Sequence, residues 1–524
     1  MKTNHPEILY SDAVDKLIVL CGEVMRATPE HAKNFVEPSP GVLASATSRQ
    51  HNLVFGRRGS GKSSLLRRTA ADLTLDRRPI AFVDMETFKG HTYPDVLISV
   101  LIKSLREFEK WIAEAATTPA SKTSFWRRFF GTTPNRPPFK KQPTSELLLR
   151  LQKIISELEL QLAMAETSDV RVKRESSKQR DTQMSTGAQL EIGAVGAKAN
   201  VGQTDRDSAS DAYEASYVSH KVEYLHRHIL EFQRFFEELG TLSDGASFLI
   251  LDDLYHIRKQ DQAKVIDYFH RVAKGNGLWL KIGTIRHRSN WYQHSDPPMG
   301  IKLGDDAKEI NLDMSLESFG TLKRFLKKIL TGLLDQTPPL KESALLAQST
   351  FDRLMIASGG VTRDFIGILN DAILQARERG NSGHRGPKVG AEDVNIAAGK
   401  YDSNKREEFK VDADTDRDRL EKAFKHLAEF CKEKSHCNVF LIPQALEGET
   451  KDSINQLVDL RLVHPVKSRV TLKRGKKGEL FEAYMLDLSQ YSASRKVRGF
   501  QILNLSSSAK DEDMRKASLI YDGT

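Results

Sequence analysis

The sequence is poor in cysteine and has no long apolar run. Three cysteines, Cys21, Cys431 and Cys437, stand among 524 residues, too few for a disulfide framework, and none belongs to a CxxC pair. No run of 18 consecutive apolar residues occurs, which argues against a membrane span, and the polar first residues show no targeting signal. We therefore expect a reducing, cytoplasmic setting.

The excess of positive charge is also small. The chain holds 79 Lys and Arg against 70 Asp and Glu, a formal net charge of +9. This balance permits binding to nucleic acid or to another anion without requiring either. Hydrophobic residues make up 39% of the chain, which indicates a globular protein with a sizeable core.

Apolar segments of strand length alternate with helical patterns, which predicts an α/β fold with a parallel sheet. The order suggests a helical lead-in (1–50), an α/β core (51–310), a helical region (311–410), a small separate unit (411–495) and a tail (496–524). A segment at 115–220 interrupts the core. After an aromatic and basic stretch and a Pro-rich stretch, it contains a helical stripe from Leu147 to Leu162. A polar stretch over 166–215 follows, which we interpret as disordered or as a flexible hairpin.

The clearest motif is Gly56-Arg57-Arg58-Gly59-Ser60-Gly61-Lys62-Ser63, which matches GxxxxGK[ST] in full. It lies between the strand pattern His51–Phe55 and a helical pattern that begins Ser63-Ser64. Glycines let such a loop wrap a phosphate group with its N–H groups, and the lysine reaches the β- and γ-phosphates. We therefore predict that Gly56 to Ser64 bind ATP and that the Ser63 hydroxyl binds Mg²⁺.

A second strand pattern ends in two acids, Phe248-Leu249-Ile250-Leu251-Asp252-Asp253. A buried strand that delivers carboxylates beside a phosphate loop is typical of a Walker B segment. Asp252 is the predicted Mg²⁺ residue, acting through water, and Asp253 is the predicted general base for the attacking water.

Two further segments supply candidate groups for the γ-phosphate. Thr284 ends the strand pattern that begins at Leu278, in a sensor 1 position, and Arg286 follows as its cationic partner or as an arginine finger acting across a subunit interface. Farther along, Gly359-Gly360-Val361-Thr362-Arg363 opens an amphipathic helix. Its Arg363 would point back at the phosphates, as in a sensor 2 lid.

Together these motifs resemble the AAA+ superfamily, in particular the replication-initiator and origin-recognition ATPases and the related STAND signalling ATPases. The resemblance covers about 51–115 and 220–400, plus the C-terminal unit. It implies a P-loop NTPase fold with a five-stranded parallel sheet, a helical lid over 311–410 and a winged helix over 411–495. Those families usually carry Glu where this chain has Asp253, so slow hydrolysis is expected. They generally lack a long insertion such as 115–220.

The C-terminal unit contains the strongest run of positive charge. Residues 467–477 hold six cations and no acid, between two strand patterns that look like the wing of a winged helix. These cations are the candidate phosphate contacts to DNA: Lys467, Arg469, Lys473, Arg474, Lys476 and Lys477. The helical pattern before them, near 450–461, is close to neutral, and winged helices also dock proteins.

Two functions therefore stay open from the sequence. One is an ATP-dependent switch that engages DNA or a partner protein, in DNA transactions or antiphage defence. The other is a signalling or scaffold ATPase that forms homo-oligomers with ATP and recruits an effector protein without DNA. In both, the chain binds ATP and Mg²⁺, and the effector chemistry belongs to a partner.

Overall fold

The structure is a computed structural model. It describes residues 8–75, 78–117, 144–163, 220–242, 246–380, 386–412, 417–473, 478–492, 499–503, 505 and 510–523. The polar part of the predicted insertion lies outside the described residues, and so do Arg474, Lys476 and Lys477.

A five-stranded parallel sheet forms the centre of the α/β unit, and its strand order is β2-β3-β4-β1-β7. Its strands are β1 (His51–Phe55), β2 (Ile80–Asp84), β3 (Ser247–Asp252), β4 (Leu278–Thr284) and β7 (Ala307–Asn311), and a small hairpin, β5 (Tyr292–Gln293) with β6 (Met299–Gly300), precedes β7. Strand β3 is buried on both faces, as its apolar sequence predicts for an inner parallel strand. The α/β P-loop NTPase fold with five parallel strands is confirmed.

Helices connect and cover these strands and build the regions that follow. Those of the α/β unit and its N-terminal segment are α1 (Asp12–Val24), α2 (Val42–Thr47), α3 (Lys62–Leu75), α4 (Asp95–Thr117), α5 (144–163), α6 (220–227), α7 (Ile229–Leu242) and α8 (Lys259–Ala273). Those that follow are α9 (Phe319–Leu334), α10 (Glu342–Leu345), α11 (Thr350–Ala357), α12 (Thr362–Arg379), α13 (Ala391–Asp412), α14 (Arg417–Glu429), α15 (Glu449–Asp459) and α16 (Lys510–Asp513). No described helix combines the length and the apolar character needed to cross a bilayer.

The helical part of the insertion joins the core of the sheet. Along α5, Leu151, Ile155 and Leu158 are buried in the same apolar cluster as β2 and β3. The ring of Phe108 on α4 meets Phe236 on α7 edge to face, with 5.4 Å between centroids. The predicted helix is therefore present, and it extends the hydrophobic core.

The N-terminal helix packs on the lid region. Val14, Leu17 and Cys21 on α1 are buried with the apolar side of α9 and α12. Arg377 on α12 adds polar contacts to this packing, since it donates to the carbonyl of Leu9 and pairs with Asp15. The segment that leads into β1 therefore rests on the helices that follow the sheet.

The C-terminal unit contains a three-stranded antiparallel sheet with the order β8-β10-β9. Its strands are β8 (Val439–Pro443), β9 (Val463–Val470) and β10 (Phe481–Leu486). Strands β9 and β10 form the hairpin expected for a wing, and α14 and α15 pack beside it. Strand β8 is an addition that the sequence patterns did not predict.

Candidate functional site

The phosphate loop occupies the turn between β1 and α3. Gly59 and Gly61 have φ values of +80° and +100°, in the left-handed region that glycine adopts without strain. A Cβ built on Gly59 would lie 2.7 Å from the Cβ of Arg363, so this position also has no room for a larger residue. The first turn of α3 closes on the loop, with Leu65 N–H donating to the carbonyl of Gly61 over 2.9 Å.

Lys62 lies inside the loop with only 4% of its surface exposed. Its Nζ donates to the carbonyl oxygens of Gly56 at 3.0 Å and Arg57 at 3.4 Å. These are neutral acceptors, which hold an ammonium group less strongly than anionic oxygens do. The lysine is thus in place to exchange loop carbonyls for phosphate oxygens.

Asp252 and Ser63 form the metal-binding candidate. The Ser63 hydroxyl hydrogen-bonds to the Asp252 carboxylate. The Oδ1 atom of Asp252 is buried and has no hydrogen-bond partner among the described residues. Burial raises the pKa of Asp252 to about 7, and the neighbouring Asp253 carboxylate adds to the rise. A buried carboxylate oxygen and a hydroxyl are oxygen donors of the kind that Mg²⁺ prefers, so these residues fit the ion.

Asp253 turns the chain sharply at the end of β3. Its φ of 54° and ψ of 47° are left-handed, a conformation that Asp tolerates better than most residues. This turn starts the short helical segment Leu254–His256 and leaves Asp253 on the wall of the loop cavity. Tyr255 and His256 line the same cavity, and the Lys62 Nζ lies 5.8 Å from the centroid of the Tyr255 ring. The sequence analysis did not select these two rings.

The cavity beside the loop has an empty volume of about 760 Å³. It brings together the phosphate loop, the end of β3, the turn after β2, the start of α12 and the end of α1. The residues that line it are Val24, Met25, Ala27, Arg58, Gly59, Gly61, Lys62, Ser63, Ser64, Glu86, Asp253, Tyr255, His256, Thr362, Arg363 and Ile366. Of the predicted catalytic residues, Asp253 and Arg363 meet in this space.

Arg363 reaches the cavity because the start of α12 is docked on the loop. Its backbone N–H donates to the carbonyl of Gly59 over 3.1 Å. This bond joins the lid region directly to Gly59 in the phosphate loop. Arg363, the predicted sensor 2 residue, thus lines the same cavity as Asp253.

A second, more apolar cavity of about 1070 Å³ adjoins the first. The N-terminal segment forms one wall through Ala32, Phe35 and Val36, and α9 forms another through Phe325 and Ile329. Both cavities share six residues, namely Val24, Ala27, Gly61, Ser64, Thr362 and Ile366. The sequence analysis gave the N-terminal segment no part in the site, since nothing in its pattern places it near the loop.

The structure directs Thr284 and Arg286 elsewhere. Thr284 is buried, and its hydroxyl pairs with that of Ser289. Arg286 forms an ion pair with Glu309, and its guanidinium carbon lies 4.1 Å from the ring centroid of Phe55. Neither is among the described residues that line the loop cavity, so their predicted roles as sensor and cationic partner gain no support from the geometry.

Arg57 points away from the cavity and is 2% exposed. Its backbone N–H and its Nε both donate to the Asp313 carboxylate, at 2.9 and 3.1 Å. Its terminal nitrogens reach the carbonyls of Met314 at 3.0 Å and Gly359 at 3.3 Å, and His464 Nδ1 at 3.5 Å. The side chain of Arg57, a residue that we predicted to belong to the nucleotide-binding loop, joins the phosphate loop to the lid region and to β9.

His464 transmits this contact into the C-terminal unit. The ring is fully buried, and burial lowers its pKa against the opposing effect of Asp487. A neutral ring that accepts from Arg57 at Nδ1 donates from Nε2, here to Asp487 Oδ2 over 2.8 Å. Gly359 leaves room for the ring, because a Cβ on Gly359 would lie 2.0 Å from its Nδ1 atom.

A chain of buried charges continues from there to the lid region. Lys405 on α13 pairs with Asp487 at 2.7 Å and with Asp364 at 3.3 Å, and Arg461 also pairs with Asp364. All four side chains are at most 3% exposed. Asp364 follows Arg363 directly in the sequence. The Arg57 network, defined as Arg57, His464, Asp487, Lys405, Asp364 and Arg461, therefore connects both sides of the loop cavity to the C-terminal unit.

Three of the cations predicted to contact DNA are described, and they lie on and just after β9. Arg469 and Lys473 are exposed, and Lys467 is half-buried. The candidate recognition helix α15 is turned partly inward, since the Asp459 carboxylate near its end accepts from the N–H of His287 over 3.3 Å. Burial, with a further contribution from Asp313, raises the pKa of Asp459 to about 7.

Comparisons with known proteins give little beyond this geometry. No protein-family model matches the sequence, and no curated protein matches it. Among solved structures, the Orc1 protein of Aeropyrum pernix in complex with DNA aligns with 92% of this chain and 90% of its own, at 14% identity and a TM-score of 0.29. That likeness is too weak to support an argument, so the assignment of the site rests on the motifs and contacts described above.

Proposed function

We propose that the chain is an AAA+/STAND-type switch that binds ATP and Mg²⁺, hydrolyses ATP slowly and couples its nucleotide state to DNA or to a partner protein. One observation carries this proposal. The phosphate loop, Asp253 and the lid-region Arg363 line a single cavity. A triphosphate bound there would contact groups from both units at once.

The adjoining apolar cavity is the proposed place for the base. Aromatic and aliphatic side chains such as Phe35, Phe325 and Ile329 suit the faces of a purine ring. Since this cavity is built from the N-terminal segment and α9, base binding would clamp the lead-in against the lid. The phosphates would then extend toward Lys62 and Ser63.

At the phosphate end, each protein group has a separate proposed task. Lys62 exchanges its loop carbonyls for β- and γ-phosphate oxygens, and Ser63 and Asp252 hold the metal shell. A bound Mg²⁺ ion supplies charge neutralisation to the phosphates. Asp253 orients and deprotonates the attacking water, while Arg363 stabilises charge that develops on the γ-phosphate.

Coupling to the C-terminal unit would run through the Arg57 network. A phosphate loop that tightens around a triphosphate moves the backbone of Arg57, whose guanidinium is fixed to Asp313, Gly359 and His464. Because these partners are buried and charged, the contacts either persist or break as a set. The β9 strand that carries His464 would therefore respond to the state of the loop.

We expect Asp253→Asn to bind ATP with nearly unchanged affinity and to lower turnover by about 100-fold or more, because the amide cannot accept the proton of the attacking water. Asn also tolerates the left-handed backbone at this position, so the variant should fold. Single-turnover hydrolysis with labelled ATP measures the effect, and Asp305→Asn, at an exposed pair with Lys302, is the matched control. Wild-type turnover by Asp253→Asn would contradict its role as base.

DNA is the first proposed partner, because three described cations lie along one edge of the C-terminal sheet. Lys467, Arg469 and Lys473 span the end of β9 and the residues after it. Contacts of this kind hold the phosphate backbone without reading the base sequence.

Reversing the charges on the wing should abolish most of this binding. For Lys467→Glu/Arg469→Glu/Lys473→Glu we expect affinity for a 30-base-pair duplex to fall by at least about 10-fold at ~100 mM salt, with a shallower dependence on salt concentration. The control reverses three lysines remote from the wing, Lys110, Lys259 and Lys274. Equal duplex binding by both variants would exclude the wing as the contact, and ATP-dependent assembly without duplex binding would favour the signalling or scaffold function.

A further inference from the structure

The C-terminal segment 510–516 lies against the wing. It is held at two points, one on its backbone and one on a side chain: Lys473 N–H donates to the carbonyl of Arg515 over 3.1 Å, and Arg515 Nε donates to the carbonyl of Thr471 over 2.8 Å. Both bonds fall at the residues that follow β9. The segment thus covers the part of the hairpin from which the predicted phosphate contacts extend.

Acidic side chains of this segment form ion pairs with two of the wing cations. Asp511 pairs with Lys467 at 2.7 Å, and Glu512 pairs with Lys473 at 2.6 Å. The segment carries three consecutive acids, Asp511, Glu512 and Asp513, and Lys510, Arg515 and Lys516 on either side of them bring the net charge of 510–516 to zero. Two of the three described cations assigned to DNA phosphates therefore already have a carboxylate partner in the same chain.

The start of the lid region takes part in the same arrangement. The Glu317 carboxylate accepts from the backbone N–H of Ser468 at 3.2 Å and from its hydroxyl at 3.0 Å. Lys510 Nζ donates to the Glu317 carbonyl at 3.3 Å. The wing, the acidic segment and the residues just before α9 thus meet at one place.

Asp511 and Glu512 are exposed, whereas apolar residues farther along the chain are buried in the core. Met514, Leu519 and Tyr521 are at most 4% exposed, and Tyr521 N–H donates to the carbonyl of Leu441 over 2.8 Å. Exposed ion pairs contribute little free energy and weaken with salt, whereas buried apolar anchors do not. The carboxylates can therefore leave the lysines while the chain that follows them stays in place.

We propose that the acidic segment 511–513 is an internal competitor that occupies the wing in place of DNA phosphates and is displaced when duplex DNA binds. This inference rests on the proposed function, since it takes the wing as the DNA contact. Duplex DNA presents one negative charge for every ~1.7 Å of its axis, so it offers many phosphates to replace two carboxylates. Because Glu317 holds the wing from the lid side, rearrangement of the lid would change how readily this exchange occurs.

The test removes the two competing charges and keeps the backbone. For Asp511→Asn/Glu512→Gln in the full chain, we expect affinity for a 30-base-pair duplex to rise about 3- to 10-fold at ~50 mM salt, measured by fluorescence anisotropy. The slope of log K against log salt should steepen by up to about 2, since two freed lysines gain phosphate partners. Asp305→Asn/Glu342→Gln is the control, because it removes two acids paired with Lys302 and Lys327, remote from the wing.

The outcomes separate this inference from the function on which it rests. A gain in affinity and slope that the control lacks supports the competitor. Wild-type affinity and slope in the double variant, together with loss of binding in the wing-reversal variant, would overturn the competitor and leave the DNA function in place. If neither variant changes duplex binding, the wing is not the DNA contact and both proposals fail.

Discussion

Replacing Lys62 with alanine should weaken ATP binding by at least about 100-fold. The Nζ atom lies inside the phosphate loop and donates to two loop carbonyls, so it needs only a small movement to reach phosphate oxygens. Charge-assisted hydrogen bonds are worth about 1.5–3 kcal/mol each, and about 2.8 kcal/mol corresponds to a 100-fold change in affinity. Titration calorimetry with ATP and Mg²⁺ measures the loss directly.

Two controls make this result specific. Lys259→Ala removes an exposed lysine at the start of α8 and should bind ATP like the wild type. We expect Lys62→Ala to stay folded, because the two loop carbonyls that lose their lysine partner lie beside an open cavity. The midpoint of urea unfolding checks this. Undiminished ATP affinity in Lys62→Ala would refute the nucleotide site.

The second large effect concerns the Arg57 network. We expect Lys405→Met to lower the free energy of unfolding by about 3–5 kcal/mol, because it leaves the buried Asp487 and Asp364 carboxylates without a shared cation. Burial alone would lower the pKa of Lys405, but these two carboxylates outweigh burial and raise it. The lysine is therefore charged in the folded protein. Urea unfolding of the variant and the wild type measures the difference in the free energy of unfolding, and we expect the same slope of free energy against urea concentration for both.

The choice of pH follows from Asp487. Burial alone would raise the pKa of Asp487, but Lys405 and His464 outweigh burial and hold this pKa below its ordinary value. The contribution of this carboxylate to stability is therefore complete above the unfolded pKa, near ~3.9, and is lost as pH falls toward the folded-state pKa. Measurements at pH 7 thus record the full effect of Lys405→Met.

An exposed pair on the same helix supplies the matched control. Lys400 pairs with Glu378 at 3.4 Å, and both side chains are more than half exposed. Lys400→Met should therefore change stability little. Equal destabilisation by the two variants, or a loss below about 1 kcal/mol for Lys405→Met, would show that the network does not hold the units together.

The central features of the nucleotide site could be predicted because they depend on local sequence. A strand, a glycine-rich turn and a helix lie within His51–Leu75. The acid pair Asp252-Asp253 stands at the end of the buried strand β3. Arg363 was also identifiable, since the glycines before α12 mark a turn that brings the helix start close to another backbone. In each case the pattern spans fewer than about 25 residues.

Other features depend on contacts that no local pattern contains. Arg57 and His464 are 407 residues apart, and a buried arginine in a phosphate loop looks the same in sequence as one that contacts nucleotide. Strand β7 lies at the sheet edge, so its alternating sequence Ala-Lys-Glu-Ile-Asn carries no strong strand signal. Thr284 ends its strand as predicted, but Ser289, five residues later, folds back to take its hydroxyl.

The most direct test of the nucleotide site is a crystal structure of the chain grown with excess ATP and Mg²⁺. We expect the β- and γ-phosphates to lie within the loop, with Lys62 Nζ moved from the Gly56 carbonyl to their oxygens and Asp252 beside the metal. A loop that stays empty under these conditions, or a triphosphate bound away from Lys62 and Asp252, would contradict the nucleotide-binding function.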